Sequence, residues 1–72
     1  MRNILLTNNI RKLRFYASEM TQQELADRLN VSRQTINAIE AGKYSPTLEL
    51  AFRIAEIFNV SLEEVFQYNS KK

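Results

Sequence analysis

From Ile10 to Phe66, apolar residues return every three or four positions in five blocks, separated by short polar stretches rich in cap and turn residues. That period places the apolar side chains on one side of a helix, so the chain reads as a run of short amphipathic helices around one core. The first block has Ile10 and Leu13 inward with Arg11 and Lys12 outward, and its predicted helix runs from a Thr7 cap to about Ala17. In the second, Thr21 is the N-cap and Glu24 completes a capping box. Met20 is a hydrophobic staple ahead of it, and Leu25, Ala26 and Leu29 share the buried face. Asn30 then leaves the helix in the left-handed conformation, Val31 plugs the turn and Ser32 caps a third helix that buries Ile36 and Ile39 and stops at Gly42. Pro46 biases Ser45 away from helical geometry, so residues 43–46 form a loop. Thr47 opens the longest helix, with Leu48, Ala51, Ile54, Ala55 and Phe58 in register and Leu50 and Phe52 widening the stripe. Asn59-Val60 repeats the earlier turn chemistry, and Ser61 with Glu64 forms a second capping box before Leu62, Val65 and Phe66. The predicted core is Leu25, Ala26, Leu29, Val31, Ile36, Ile39, Ile54 and Phe58. Ala26 has to be small because two helices cross there. The expectation is a single all-α domain over residues 1–72, five helices in number, and residues 1–7 read either as a frayed terminus or as a short strand that would pair with 66–70 in a two-stranded ribbon.

Two of these blocks stand apart. Residues 21–42 make two short helices joined by a tight turn, and the second carries a polar front of Arg33, Gln34, Thr35 and Asn37. A short helix with hydrogen-bonding side chains facing out, one turn after another helix, is the helix-turn-helix pattern. One charge breaks the apolar logic. Arg14 follows Ile10 by four residues and so points coreward, where a guanidinium needs a partner, and Glu40 on the inner edge of the polar-fronted helix is the predicted one, as a structural ion pair.

Composition narrows the chemistry. The chain has neither cysteine nor histidine, which excludes disulfides, thiolate or imidazole zinc sites and histidine-based triads. With 72 residues, one domain is expected without a separate catalytic or effector module, and no cofactor or metal is expected. The apolar runs are too short to span a membrane, and the N-terminal stretch lacks the features of a signal peptide. A soluble cytoplasmic protein is therefore the expectation. The net charge of +2 is modest, but it is unevenly placed. Arg2, Arg11, Lys12, Arg14, Arg28, Arg33 and Lys43 outnumber Glu19, Glu24, Asp27 and Glu40 in the half that holds the two-helix motif. Arg53 alone faces Glu49, Glu56, Glu63 and Glu64 in residues 44–70. A basic half beside the polar helix suits a nucleic-acid partner. Asn30-Val31-Ser32 and Asn59-Val60-Ser61 match the glycosylation acceptor pattern, but each is explained as a turn residue followed by a cap.

The stretch TQQELADRLNVSRQTINAIEAGKYSPTLELAFRIAEIFNVSLEEVF resembles the Xre/Cro/C1-type helix-turn-helix regulators, the fold of lambda repressor and Cro. The short form ending near FQY is similar to the small cytolysin-repressor-type proteins of that family, homodimers whose five helices are accompanied by a terminal β-ribbon. The segment from Arg14 to Thr21 is one residue longer than the family pattern. The resemblance implies a lambda-repressor-like fold and a homodimeric, sequence-specific regulator of transcription, more often a repressor, bound to a double-stranded DNA operator and so to the nucleoid. Gln22 then corresponds to the glutamine that holds a DNA phosphate at a helix N-terminus, a position that favours anions. Arg33 and Gln34 open the recognition helix over residues 33–41. There arginine can fork onto guanine and glutamine onto adenine, although Arg33 can equally hold a phosphate. Asn37 is a third base-edge residue, and Ala38 can touch only a thymine methyl. Ser32 and Thr35 are phosphate-contact or cap hydroxyls, and Lys43 and Tyr44 match the family's backbone-contact loop. One such module buries roughly 600–1,000 Å² on DNA, too little for a selective site, so two copies are required. The acidic, apolar region 60–70 is the expected dimer surface, with Leu62, Val65, Phe66 and Tyr68. The alternative reading is a protein-interaction module, an antitoxin or adaptor gripping a regulatory protein partner with the same fold.

Overall fold

The computed structural model describes residues 6–68. The element order is β1 (Leu6–Asn8), α1 (Ile10–Tyr16), α2 (Gln22–Leu29), α3 (Arg33–Glu40), α4 (Leu48–Phe58), α5 (Leu62–Val65) and β2 (Phe66–Tyr68). The two strands pair antiparallel, Leu6 opposite Tyr68, Thr7 opposite Gln67 and Asn8 opposite Phe66. Of the two readings of the N-terminus, the strand is the one present over these residues, while the outer parts of the ribbon, residues 1–5 and 69–70, lie outside the described residues.

Caps and turns follow the local chemistry. Both capping boxes form, Thr21 with Glu24 and Ser61 with Glu64, and Ser32 and Thr47 accept from the third residue of α3 and α4. Asn30 and Asn59 end their helices at φ of 61° and 57°, and Gly42 follows α3 at φ 77°. Each is the left-handed conformation that asparagine tolerates and glycine adopts freely. The fully buried side chains are Ile10, Leu25, Leu29, Ile36, Ile39, Ile54 and Val65, with Ala26 among them at the α2–α3 crossing. Val31 and Phe58 pack against this core from partly buried positions.

Three expectations need correcting. Thr7 does not cap α1, because the ribbon takes it. Asn9 occupies the N-cap without a side-chain cap bond, and the Asn8 Oδ1 accepts from the Ile10 N–H at 3.1 Å instead. Helix α1 ends at Tyr16 with Ala17 as its C-cap, as expected. Leu48 and Phe52 are not core. They are 68% and 53% exposed because they fall on the outer side of α4, and Leu50 with Ala51 and Ile54 supplies the buried side. Val65 is completely buried inside the chain by the close return of β2, so it has no surface to offer a second copy. Among the other predicted interface residues, Leu62 and Phe66 are half-buried and Tyr68 is exposed.

Candidate nucleic-acid interface

Among the described residues, helices α2 and α3 share the most extensive contact of any pair of elements. The turn between them is fixed by Val31 N–H donating to the Ala26 carbonyl at 3.0 Å. With Ile36 and Ile39 buried, the opposite side of α3 must face out. Arg33, Gln34 and Asn37 are exposed there, and Thr35 and Ala38 are half-exposed. Ser32 Oγ accepts from the Thr35 N–H at 3.1 Å and lies 3.0 Å from Thr35 Oγ1. The hydroxyl pair therefore completes the start of α3 while remaining exposed. After α3, Lys43 N–H donates to the Ala38 carbonyl at 2.9 Å. This closes the helix end and leaves Lys43 and Tyr44 exposed beside it.

The predicted Arg14–Glu40 pair forms as a fork, Nε to Oε2 at 2.7 Å and Nη2 to Oε1 at 3.0 Å. Nη1 donates to the Met20 carbonyl at 2.8 Å, so the guanidinium ties α1, the α1–α2 loop and α3 together. Two parallel charge-assisted bonds fix orientation as well as distance. Sequence reasoning did not find the next link. The Gln22 Nε2 donates to Glu40 Oε1 at 3.1 Å and faces Asn37 Oδ1 at 3.4 Å. Both amide hydrogens of Gln22 thus point within the protein, while the backbone N–H groups of the first turn of α2 have no intrahelical partners. Only the weaker Asn37 bond stands in the way of an amide contact.

Asn8 is a second residue the sequence did not single out. Its Nδ2 donates to the Ile39 carbonyl at 3.0 Å, which also accepts from the Gly42 N–H at 3.0 Å, so β1 is bonded to the C-terminal end of α3. Asn9 N–H donates to the Val65 carbonyl at 2.8 Å, and Asn9 Nδ2 to the Glu64 carbonyl at 3.1 Å. The ribbon is therefore bonded to both the recognition helix and α5. No signal in the sequence marks these asparagines, since their acceptors lie 31 and 55 residues away.

Among the described residues no group of acidic, histidine or cysteine side chains could hold a metal ion, and no helix is long and apolar enough to cross a membrane.

The arrangement is that of a helix-turn-helix reader, and comparison with known proteins agrees. The helix-turn-helix family profile matches residues 10–65, from the first core residue of α1 to the last of α5. An uncharacterised HTH-type transcriptional regulator of Methanocaldococcus jannaschii is 54% identical over 59 residues, covering 79% of this chain and 89% of that protein. Another from Archaeoglobus fulgidus is 47% identical over 53 residues, covering 74% and 75%. The uncharacterised regulator YgzD of Bacillus subtilis is 38% identical over 61 residues, covering 85% and 91%. A crystal structure of a presumed DNA-binding protein from Bacteroides fragilis superposes with a TM-score of 0.76 at 24% identity, covering 88% of this chain and all of the other, which shows the common fold. The chain belongs to the Xre/Cro/C1-type helix-turn-helix family. It is a DNA-binding module of the transcription-regulator type, and not an enzyme.

Proposed function

We propose that the chain acts as a homodimer that binds an inverted-repeat operator in double-stranded DNA and represses transcription by occluding the promoter, in the cytoplasm. The observation that carries this reading is the exposed, hydrogen-bonding face of α3, built on a helix held by Arg14 through Glu40, by the Ser32 cap and by Asn8. A reader of base edges needs such rigidity, because a fork onto guanine or adenine discriminates only at fixed geometry. In this reading Arg33, Gln34 and Asn37 address base edges and Ala38 a thymine methyl. Gln22, Ser32, Thr35, Lys43 and Tyr44 fix the register on phosphates. Half-sites one helical turn apart, about 34 Å, require two copies related by a two-fold axis. The half-buried Leu62 and Phe66 and the exposed Tyr68 provide the surface for that contact on the side of the acidic α4–α5 region.

The test is capture of the protein's own genomic sites from its host, followed by transcription measurements after deletion of the gene. Repression predicts shared motifs over promoters and a rise in the transcripts they control. A fall in those transcripts contradicts the repressor reading, and captured fragments without a shared motif contradict sequence-specific binding.

A further inference from the structure

We infer that Arg11, on α1, is a DNA phosphate contact, so that the bound duplex is held by a third helix outside the helix-turn-helix. This rests on the DNA-binding reading above and adds to it a residue that neither the motif nor the resemblance points to. Three observations carry it. First, Arg11, Gln22, Asn37 and the Arg14–Glu40 pair line one open cleft of about 420 Å³ between α1 and the front of the helix-turn-helix. Arg11 lies one turn before Arg14 on the same side of α1, where residues three apart are neighbours, and so it reaches the edge of the surface on which α3 and the N-terminus of α2 meet the duplex.

Second, the charges in that cleft are unequal. Arg14 and Glu40 neutralise each other at 2.7 Å. Arg11 is exposed and, among the described residues, forms neither an ion pair nor a side-chain hydrogen bond. Glu19, which shares the adjoining groove with it, does not pair with it either. Arg11 is the uncompensated cation of the cleft.

Third, Gln22 is engaged by Glu40 and Asn37 through its amide, and it carries no charge. A phosphate at the start of α2 therefore meets backbone N–H groups but no full positive charge, unless Arg11 supplies it. An arginine suits that task, since its fork matches two phosphate oxygens.

Lys12 is the internal control. It is also exposed and adjacent in sequence, but while both residues border the groove of Asn8, Asn9, Phe15 and Tyr16, Arg11 alone of the two lines the cleft of Gln22.

The experiment is a salt titration of duplex binding for the wild type, Arg11→Ala, Arg11→Lys and Lys12→Ala, on the selected operator and on a scrambled duplex. Thermal unfolding of each variant is measured alongside. The expected result for Arg11→Ala is an unchanged melting temperature and weaker binding by the same factor on both duplexes. Its plot of log K against log salt becomes shallower by about 0.9 per bound chain, the value for one lost phosphate neutralisation. Arg11→Lys keeps the slope, and Lys12→Ala keeps both slope and affinity. A wild-type slope for Arg11→Ala overturns the inference alone. Equal slope losses for Arg11→Ala and Lys12→Ala overturn it too, since they would reflect net charge and not a contact. A wild-type protein with no salt-dependent duplex binding overturns this inference and the DNA-binding reading together.

Discussion

Arg14 and Glu40, 26 residues apart in sequence, are joined by a two-pronged ion pair at 2.7 and 3.0 Å that fastens the recognition helix to α1. Their side chains are only 14% and 9% exposed. Glu40 also holds the Gln22 amide at 3.1 Å, so one carboxylate ties α1, α2 and α3 together.

Removing one partner leaves the other as an uncompensated charge in a largely dry place. Glu40→Ala is expected to cost about 3 kcal/mol, the lower end for a broken buried pair because some solvent reaches this one. For a domain of this size that lowers Tm by about 10 °C or more. Replacing both with apolar residues, Arg14→Met with Glu40→Leu, is expected to restore most of the stability. The double variant still lacks the hold on Gln22, so its DNA affinity should stay below wild type. Thermal unfolding and duplex binding of the three proteins check both halves. Full recovery of binding in the double variant would make the pair purely structural.

On the recognition helix, base and phosphate contacts separate by their signatures. Arg33→Ala and Gln34→Ala are each expected to cost about 1–3 kcal/mol on the operator and to relax preference at one position. Lys43→Ala should instead weaken every sequence alike and flatten the salt dependence. Affinities of the three variants across a set of operator mutants distinguish the outcomes. If Arg33→Ala behaves as Lys43→Ala does, Arg33 is a phosphate contact.

The loop before α2 holds two consecutive non-glycine residues in the left-handed region, Ser18 at φ 60° and Glu19 at φ 57°. This conformation costs an L-residue roughly 1–2 kcal/mol, and glycine avoids that at an entropic cost of about half as much. Both side chains are exposed and leave no cavity behind. Ser18→Gly and Glu19→Gly are each expected to stabilise the protein by about 0.5 kcal/mol, read as a rise in the urea midpoint at unchanged slope.

That loop also marks where the sequence stops being informative. Caps were legible because their chemistry is local. Thr21 with Glu24, and Asn30 in its left-handed exit, need no knowledge of the rest of the chain. Arg14–Glu40 was legible because a charge on an apolar stripe demands a partner. The period of α4 was read too generously. Leu48 and Phe52 are apolar, but the helix has only one buried side, and Leu50 and Ile54 already fill it. Thr7 read as a cap because it precedes a helical pattern, whereas strand pairing with Gln67 sixty residues away claims it. The same distance hid Asn8 on the Ile39 carbonyl. The exposed polar front of α3 was legible from the helical period, while the hold of Glu40 on Gln22 depended on how α2 and α3 cross.

The dimer proposal makes its own demand. Phe66 and Leu62 are half-buried in one chain, and pairing would cover the rest of them. Phe66→Glu is expected to shift the protein from dimer to monomer in sedimentation velocity while leaving most of its helical circular dichroism. Operator affinity should fall sharply, because each monomer then binds one half-site alone. A dimer that survives Phe66→Glu places the subunit contact elsewhere on the chain.

Selection of bound sequences from a random duplex pool by the purified protein, at two salt concentrations, tests the central claim most directly. The account predicts enrichment of an inverted repeat whose half-sites lie about one helical turn apart, with the same motif at both salts and weaker retention at the higher one. Binding that fades with salt and enriches no motif would leave only phosphate attraction and contradict sequence-specific recognition by α3.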